Sequence, residues 1–583
     1  MSQVQALVSS RPTNQASGIQ RFCQASACRL KLILPFNLLA WRAVTVFCPP
    51  SAGARPTIES ICGVKTKRLT RGARRCLAVR SVREDKVSRS IEKWLSQSRV
   101  IAALMLMLML MLTLSFVTNA AHAVFPEAAA VPAAASVGQS VACQPTFTTK
   151  PQPTLPKHFT EHTLYSGCLN QPTAISFSRD KTQVFVAEKG GKVWKCDLSS
   201  TPTCLLFADL SGEVCNDADR GLLGLAVDPR NDGNVYVLYT TPPAAGACSG
   251  NVLTHGQLSL LTGTSETKIL PAAGSSNQTW CFFYTSHSIG ALAFGSDNKT
   301  LYVSAGDGAS FDRVDYGQLD SACGDGTNLP QGAFRSQGVS TVRPYSDGVI
   351  LRMTNPGTIT QSVAVVANGL RNPFRFARVP GTGVRVTDDL YIGNVGWNTW
   401  EAIDHVRVAG RNLNGRNLNF GWPCYEGWNP NNDFGVARQP EYRSFPAAPS
   451  KYCSGKSGIV SGTDVTPPFF AYAHQDYVTP EDSRGRTCGG KPSGGGPDQN
   501  GSVLSAIGFT DGTSTTYPTQ FKNALYFGDL LRKCIWTMQP PDNTPQTFAK
   551  GLQGGPVDLK AGQNGDLFYV DLVTSTVRRI THK

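Results

Sequence analysis

After residue 124 the sequence shows almost no helical periodicity, which leaves strands as its main element. The same stretch has no C-x-x-C pair, so zinc ribbons and thioredoxin chemistry have no anchor there. It also lacks H-E-x-x-H, a P-loop, a Rossmann glycine fingerprint, a G-x-S-x-G elbow and a C-x-x-C-H haem motif. Net charge is missing as well. Residues 1–99 hold 18 Lys and Arg against 4 Asp and Glu, which accounts for the chain's entire +14, and residues 100–583 sum to zero. The folded part carries no basic signature of a nucleic-acid binder, and no nucleic-acid partner is expected.

What is present begins with an export signal. Residues 101–117 form an apolar run containing LMLMLMLML, preceded by Arg89, Lys93 and Arg99 and followed by Ala121-His122-Ala123. That order is the n-region, h-region and A-x-A-like cleavage site of a secretory signal, and its length borders on a signal anchor. No Met lies between Met1 and Met105, so no later start precedes the run. Residues 1–99 read as a basic leader, disordered or targeting, and 100–123 as the signal or a membrane tether. Twelve of the 17 cysteines come after it, an even number that fits complete pairing in an oxidising compartment. Cys196 and Cys204 are spaced to close a short hairpin, and the other pairings are open. Sequons at Asn277, Asn298 and Asn500 fit the same route. The expected location is secreted, or anchored with the folded part outside.

Repeats decide the architecture. An apolar strand, a short polar turn and an aromatic-rich strand ending in Gly or Asp recur at 173–188, 221–240, 289–307, 374–396, 505–529 and 557–571. The second strands centre on Val184-Phe185-Val186, Val235-Tyr236-Val237, Leu301-Tyr302-Val303, Leu390-Tyr391-Ile392, Leu525-Tyr526-Phe527 and Phe568-Tyr569-Val570. β-branched and aromatic residues in alternation suit a half-buried strand, and the Asp-Gly, Asn-Lys and Asn-Gly pairs between suit tight turns. Six such units predict an all-β, six-bladed propeller of four-stranded antiparallel blades over residues 124–583. A β-sandwich array is the plainer alternative. Two long insertions, 308–346 and 409–501, are expected to form a binding rim.

Several segments then resemble one family. Arg220-Gly221-Leu222-Leu223-Gly224, His287 through Asp307, Asn368-Gly369-Leu370-Arg371-Asn372-Pro373, Gly393 through Asp404 and Asn419 through Gly427 follow the motif order of soluble quinoprotein glucose/sorbosone dehydrogenases. The same domain occurs in Hedgehog-interacting-protein-like relatives. The resemblance spans roughly residues 155–580. It implies oxidation of a sugar or polyol hydroxyl by hydride transfer to pyrroloquinoline quinone (PQQ), with Ca²⁺ at the cofactor. His287 matches the general base, and an imidazole suits that task near neutral pH. Asp307 matches the carboxylate that orients it. Arg371 and Asn372 match cofactor contacts, as do Arg220 and Arg532, while Gly396 and Trp397 match the backbone carbonyls that hold calcium. One departure stands out. The bacterial enzymes clamp the cofactor's carboxylates with a Lys and two Arg from the last two blades, and here only Arg532 lies near those positions. The expected partner is a small-molecule sugar, with an external electron acceptor that the sequence does not specify. A catalytically silent propeller that binds a protein or glycan is the alternative, and a calcium-dependent hydrolase is a third reading.

Overall fold

Each predicted strand pair forms the inner hairpin of one antiparallel sheet. The computed structural model describes residues 138–583 without 244–246, 264, 273–279, 316–322, 324–331, 338–346, 382–386, 410–417, 429–435, 439–452, 454–464, 486 and 490–501. The basic leader, the apolar run and the sequons at Asn277 and Asn500 lie outside the described residues. Asn298 is exposed in the hairpin turn between Ile289–Phe294 and Thr300–Ala305.

Six blades follow in chain order. Blade 1 is Pro172–Phe177, Gln183–Glu188, Lys192–Asp197 and Thr203–Asp209. Blade 2 is Leu222–Asp228, Asn231–Thr241, Thr254–Thr262 and Ser265–Leu270. Blade 3 is Ile289–Phe294, Thr300–Ala305, Val349–Thr354 and Ser362–Asn368, extended in parallel by Leu418–Asn419. Blade 4 is Arg375–Arg378, Thr387–Asn394, Trp400–Ala409 and Phe470–Ala473. Blade 5 is Leu504–Phe509, Leu525–Asp529, Cys534–Met538 and Gln546–Lys550. Blade 6 joins Pro556–Ala561, Leu567–Asp571 and Thr576–His582 to Phe159–Leu164 from the other end of the chain. The six first strands touch one another in a closed cycle, so they line a central channel.

Two features differ from the sequence reading. The central triplets are buried on both faces, not one, because each blade packs against a neighbour on either side. And the ring closes through Phe159–Leu164, a strand outside the six repeats. A buried network secures that closure: Tyr569 donates to Glu161 at 2.6 Å, and Arg578 donates to Gln553 and Thr574 and pairs with Asp571.

Arg375 crosses the channel. Its guanidinium donates to the carbonyls of Val557 in blade 6 and Thr173 next to it in blade 1, both at 2.8 Å. Burial lowers its pKa to about 10, which still leaves it charged. All twelve cysteines after residue 124 are paired, as 143–168, 196–204, 215–248, 281–323, 424–453 and 488–534. The expected Cys196–Cys204 hairpin bridge is among them. No helix among the described residues is long and apolar enough to cross a membrane.

Candidate active site

In five of the six blades a polar side chain at or next to the end of the second strand accepts a backbone N–H from a nearby loop, and in blade 3 that strand ends at Ala305. Glu188 accepts the Asn170 N–H at 2.7 Å, and Thr240 accepts that of Gly221 at 2.8 Å. Asn394 accepts the N–H groups of Arg371 and Asn372, each at 3.1 Å, and Asp529 accepts that of Val503 at 3.0 Å. In these four blades the donor is the backbone just before the first strand. Asp571 of blade 6 accepts from Thr574 instead.

Blade 3 departs from this pattern. There Asp307 meets an imidazole: its Oδ1 lies 2.8 Å from His287 Nδ1. A carboxylate only accepts, so Nδ1 carries the hydrogen and Nε2 presents a lone pair. Nε2 makes no hydrogen bond to any described residue. The local sequence explains how the two meet. His287 sits in the left-handed region at φ 52°, which is uncommon for a side-chain-bearing residue and turns its ring towards the strand end. Gly306 leaves room for this, because a Cβ there would lie 2.4 Å from the His287 carbonyl. Gly308 then donates to that carbonyl at 3.0 Å.

The pair is deeply buried, with His287 4% exposed and Asp307 fully enclosed. Burial pushes the His287 pKa below its usual value, and Arg371 pushes the same way against the opposing pull of Asp307 and Asp219. Burial alone would raise Asp307, but His287, Arg371 and the Ala309 N–H together bring it below the usual carboxylate range. The resting state is therefore a neutral imidazole on an ionised carboxylate.

Arg371 joins them. Its carbonyl accepts the Asp307 N–H at 2.8 Å, and its guanidinium donates from Nη1 to the carbonyls of Gly396 at 2.6 Å and Val395 at 3.2 Å. Two carboxylates, the buried Glu401 and the half-buried Glu426, aim those carbonyls. Glu401 accepts the Gly396 N–H at 3.3 Å and Glu426 accepts that of Trp397 at 2.6 Å. Because both N–H groups point to the acids, the Val395 and Gly396 carbonyls turn towards Arg371. Burial pushes Glu426 up to about 7, partly offset by Arg371 and the Trp397 N–H. Gly396 has to be glycine, since a Cβ would lie 1.6 Å from the Trp400 carbonyl. The side-chain amide of Asn372 makes no hydrogen bond to a described residue. A small cavity next to Arg371 is lined by Asn394, Gly396, Asp404, Trp422 and Glu426.

Two residues expected at the cofactor are engaged by protein carbonyls. Arg220 is fully buried, and its guanidinium is spent on the carbonyls of Gly250, Val252, Phe283 and Tyr284. Arg532 donates to the carbonyls of Asp476, Cys488, Ala473 and His474 and lies 4.9 Å from the Tyr472 ring centre. Both clamp loops to blades, and all three guanidinium nitrogens of Arg532 are engaged by protein oxygens. The sequence reading also passed over Trp422, Glu426 and Asn394. Two of these lie inside the quoted Asn419–Gly427 motif, and Asn394 ends a predicted strand, but nothing in a linear pattern says where their side chains go.

No protein-family model matches this sequence, and no curated protein matches it. Solved structures do. The chain is similar in fold to sugar dehydrogenases. The soluble aldose sugar dehydrogenase of Escherichia coli in its apo form is 15% identical, with 73% of this chain and all of that one covered, at a TM-score of 0.45. A glucose dehydrogenase is 14% identical over 73% of this chain and 100% of its own, at 0.46. The calcium structure of a Trichoderma reesei carbohydrate-active enzyme of family AA12 is 13% identical over 75% and 98%, at 0.45. Such identities carry no residue assignments.

Proposed function

We propose that this protein is an exported dehydrogenase that oxidises a hydroxyl of an aldose or similar polyol, with PQQ as its cofactor. The observation that carries the reading is the open Nε2 of His287, whose other nitrogen is held by a buried carboxylate beside a buried guanidinium. PQQ, when bound, supplies an acceptor for the hydride that leaves the carbinol carbon. His287 Nε2 takes the hydroxyl proton as that hydride leaves, so both bonds break and a carbonyl forms. Asp307 holds the ring in the Nδ1–H tautomer and stabilises the imidazolium that results. Burial and Arg371 keep the imidazole neutral beforehand, as a base must be. Arg371 brings positive charge to the place where a reduced quinone would gather negative charge, and the free amide of Asn372 can bond the same ligand.

The donor set fits this cofactor at its quinone end. Three carboxylates ask for cations, and Arg532 and Arg578, the buried arginines of blades 5 and 6, are engaged by protein acceptors. Calcium suits oxygen ligands, and the carbonyls of Gly396 and Trp397 are its candidates in this reading. The Gly396 carbonyl already accepts from the Arg371 guanidinium at 2.6 Å, so a cation there would share that oxygen with Arg371.

Dye reduction by the protein with added PQQ and Ca²⁺, over a panel of aldoses and polyols, tests the proposal. The expected result is sugar-dependent reduction that drops by about 10²- to 10⁴-fold in His287→Ala. Failure to bind PQQ at micromolar concentration would sink it and favour a silent propeller that binds a protein or glycan. The committed arginines of blades 5 and 6 are the feature that speaks for that second reading.

A further inference from the structure

Trp422 touches each part of the candidate site. Its Nε1–H donates to Asp307 Oδ2 at 2.7 Å. The Arg371 guanidinium lies over its ring, 5.5 Å from the centroid. Its edge meets Trp397 with ring centroids 6.2 Å apart and planes at 85°. The side chain is 3% exposed.

The backbone of this residue is fixed from two sides. Its N–H donates to the Gly369 carbonyl at 2.9 Å. Its own carbonyl accepts from Ser336 Oγ and Gln337 Nε2, both at 2.8 Å. Asn419, three residues earlier, exchanges two side-chain hydrogen bonds with the same Gln337. The ring is thus carried on a segment tied to the 3₁₀ turn Gly332–Gln337 and to the loop that bears Arg371.

A ring needed for packing alone has no use for a donor. A buried indole N–H pointed at a buried carboxylate is a charge-assisted bond, which fixes direction as well as proximity. Asp307 has two oxygens. Oδ1 serves His287 and the Ala309 N–H, and Oδ2 serves Trp422. The indole therefore sets the rotation of the carboxylate, and the carboxylate sets which imidazole nitrogen carries the hydrogen.

We propose that Trp422 is a positioning residue for the His287–Asp307 pair: its N–H orients the carboxylate and its ring face holds Arg371 in place. The role deepens the dehydrogenase reading and rests on it for its kinetic consequence only. Trp422→Phe keeps an aromatic face and removes the single donor. Oδ2 is then left with less to accept, and its charge bears more strongly on the Nδ1–H of His287. The groups that face this imidazole are Asp307, Arg371 and Asp219, and only the first loses a partner.

NMR titration of the His287 ring in the protein, assigned with His287→Asn, reads this directly. The expected result is a midpoint higher in Trp422→Phe than in the wild type by about half a unit to one unit. The acid limb of kcat/KM should move up with it, and kcat/KM at neutral pH should fall about ten- to a hundred-fold. An imidazole midpoint that is the same in both proteins would overturn the role, whatever the enzyme does. If the variant does not fold, the wild-type indole ¹⁵N–¹H resonance of Trp422 decides: it should shift with pH at the midpoint of His287, and a flat response overturns the role. A protein without sugar oxidation but with the imidazole shift intact would fail the dehydrogenase reading and leave the positioning role standing.

Discussion

Asp307 and Asp529 are buried carboxylates near the ends of second strands in blades 3 and 5, and they differ in place and partners. Asp529 is the last residue of its strand, whereas Asp307 stands two residues past Ala305, the last of its own. Each follows the aromatic triplet of a second strand, and each is fully buried. Asp529 is closed off by protein donors: the N–H groups of Val503, Leu531 and Arg532, and the Tyr472 hydroxyl. Burial still outweighs them, so its pKa is raised. Asp307 accepts one backbone N–H, one indole and one imidazole, and its pKa is lowered because His287 and Arg371 outweigh burial. A buried carboxylate is a loop cap when backbone N–H groups surround it, and a partner to an imidazole when a histidine lies within reach. Blade 3 thus carries a buried carboxylate–imidazole pair just past its second strand, where the other blades carry backbone caps at the strand end.

The largest expected effect separates the two acids. Asp307→Asn should cut kcat by about 10²- to 10⁴-fold, because it removes the tautomer control of His287. It should also cost about 1–3 kcal/mol of stability, because the amide nitrogen must face one of the donors that the carboxylate accepts. Asp529→Asn should leave the kcat of folded protein unchanged and lower unfolding stability by about 1–3 kcal/mol, through disturbed caps. Steady-state kinetics beside denaturant melts check both, and an equal loss of kcat in the two variants would erase the distinction.

The next test concerns cations. Arg532→Met and Arg220→Met should each destabilise by about 3 kcal/mol and leave PQQ affinity within about two-fold of the wild type, since the bonds their guanidiniums make all end on protein oxygens. Arg371→Met should weaken PQQ binding instead. Isothermal titration beside thermal melts separates these, and weaker PQQ binding in Arg532→Met would return that residue to the site.

The smallest effect sits beside the cavity. Asp404 is fully buried with Asn394 as its one described hydrogen-bond partner, and burial lifts its pKa to about 7. A folded-state pKa above the unfolded value of ~3.9 gives stability that is complete below that value and is lost as pH rises through about 7. Asp404→Asn should therefore gain on the wild type between pH 4 and 7 and stay ahead above it. A rise in unfolding midpoint of roughly 2 °C at pH 8 is expected, and less at pH 5. Differential scanning calorimetry at the two pH values checks the sign.

Much of this was legible in the linear pattern. All six inner hairpins lie where alternation, aromatic triplets and turn pairs put them, because those signals are local. His287, Asp307 and Arg371 were legible through a motif, and the structure brings the three together. The partners of Arg220 and Arg532 were not legible, because a motif gives a position and not the carbonyls that a guanidinium will find within reach. The strand Phe159–Leu164 went unseen for a related reason: it lacks a neighbouring partner in sequence and pairs only with the far end of the chain.

Residue types and their spacing by themselves determined the strands, their order, the number of blades and the even set of cysteines, since each is set by near neighbours and by the period of the pleat. Only ring closure decided which polar groups meet. Trp422 reaches Asp307 across 115 positions, and Arg375 reaches Val557 across 182. Contacts over such separations exist only once the blades have packed and the channel has given each buried charge a partner.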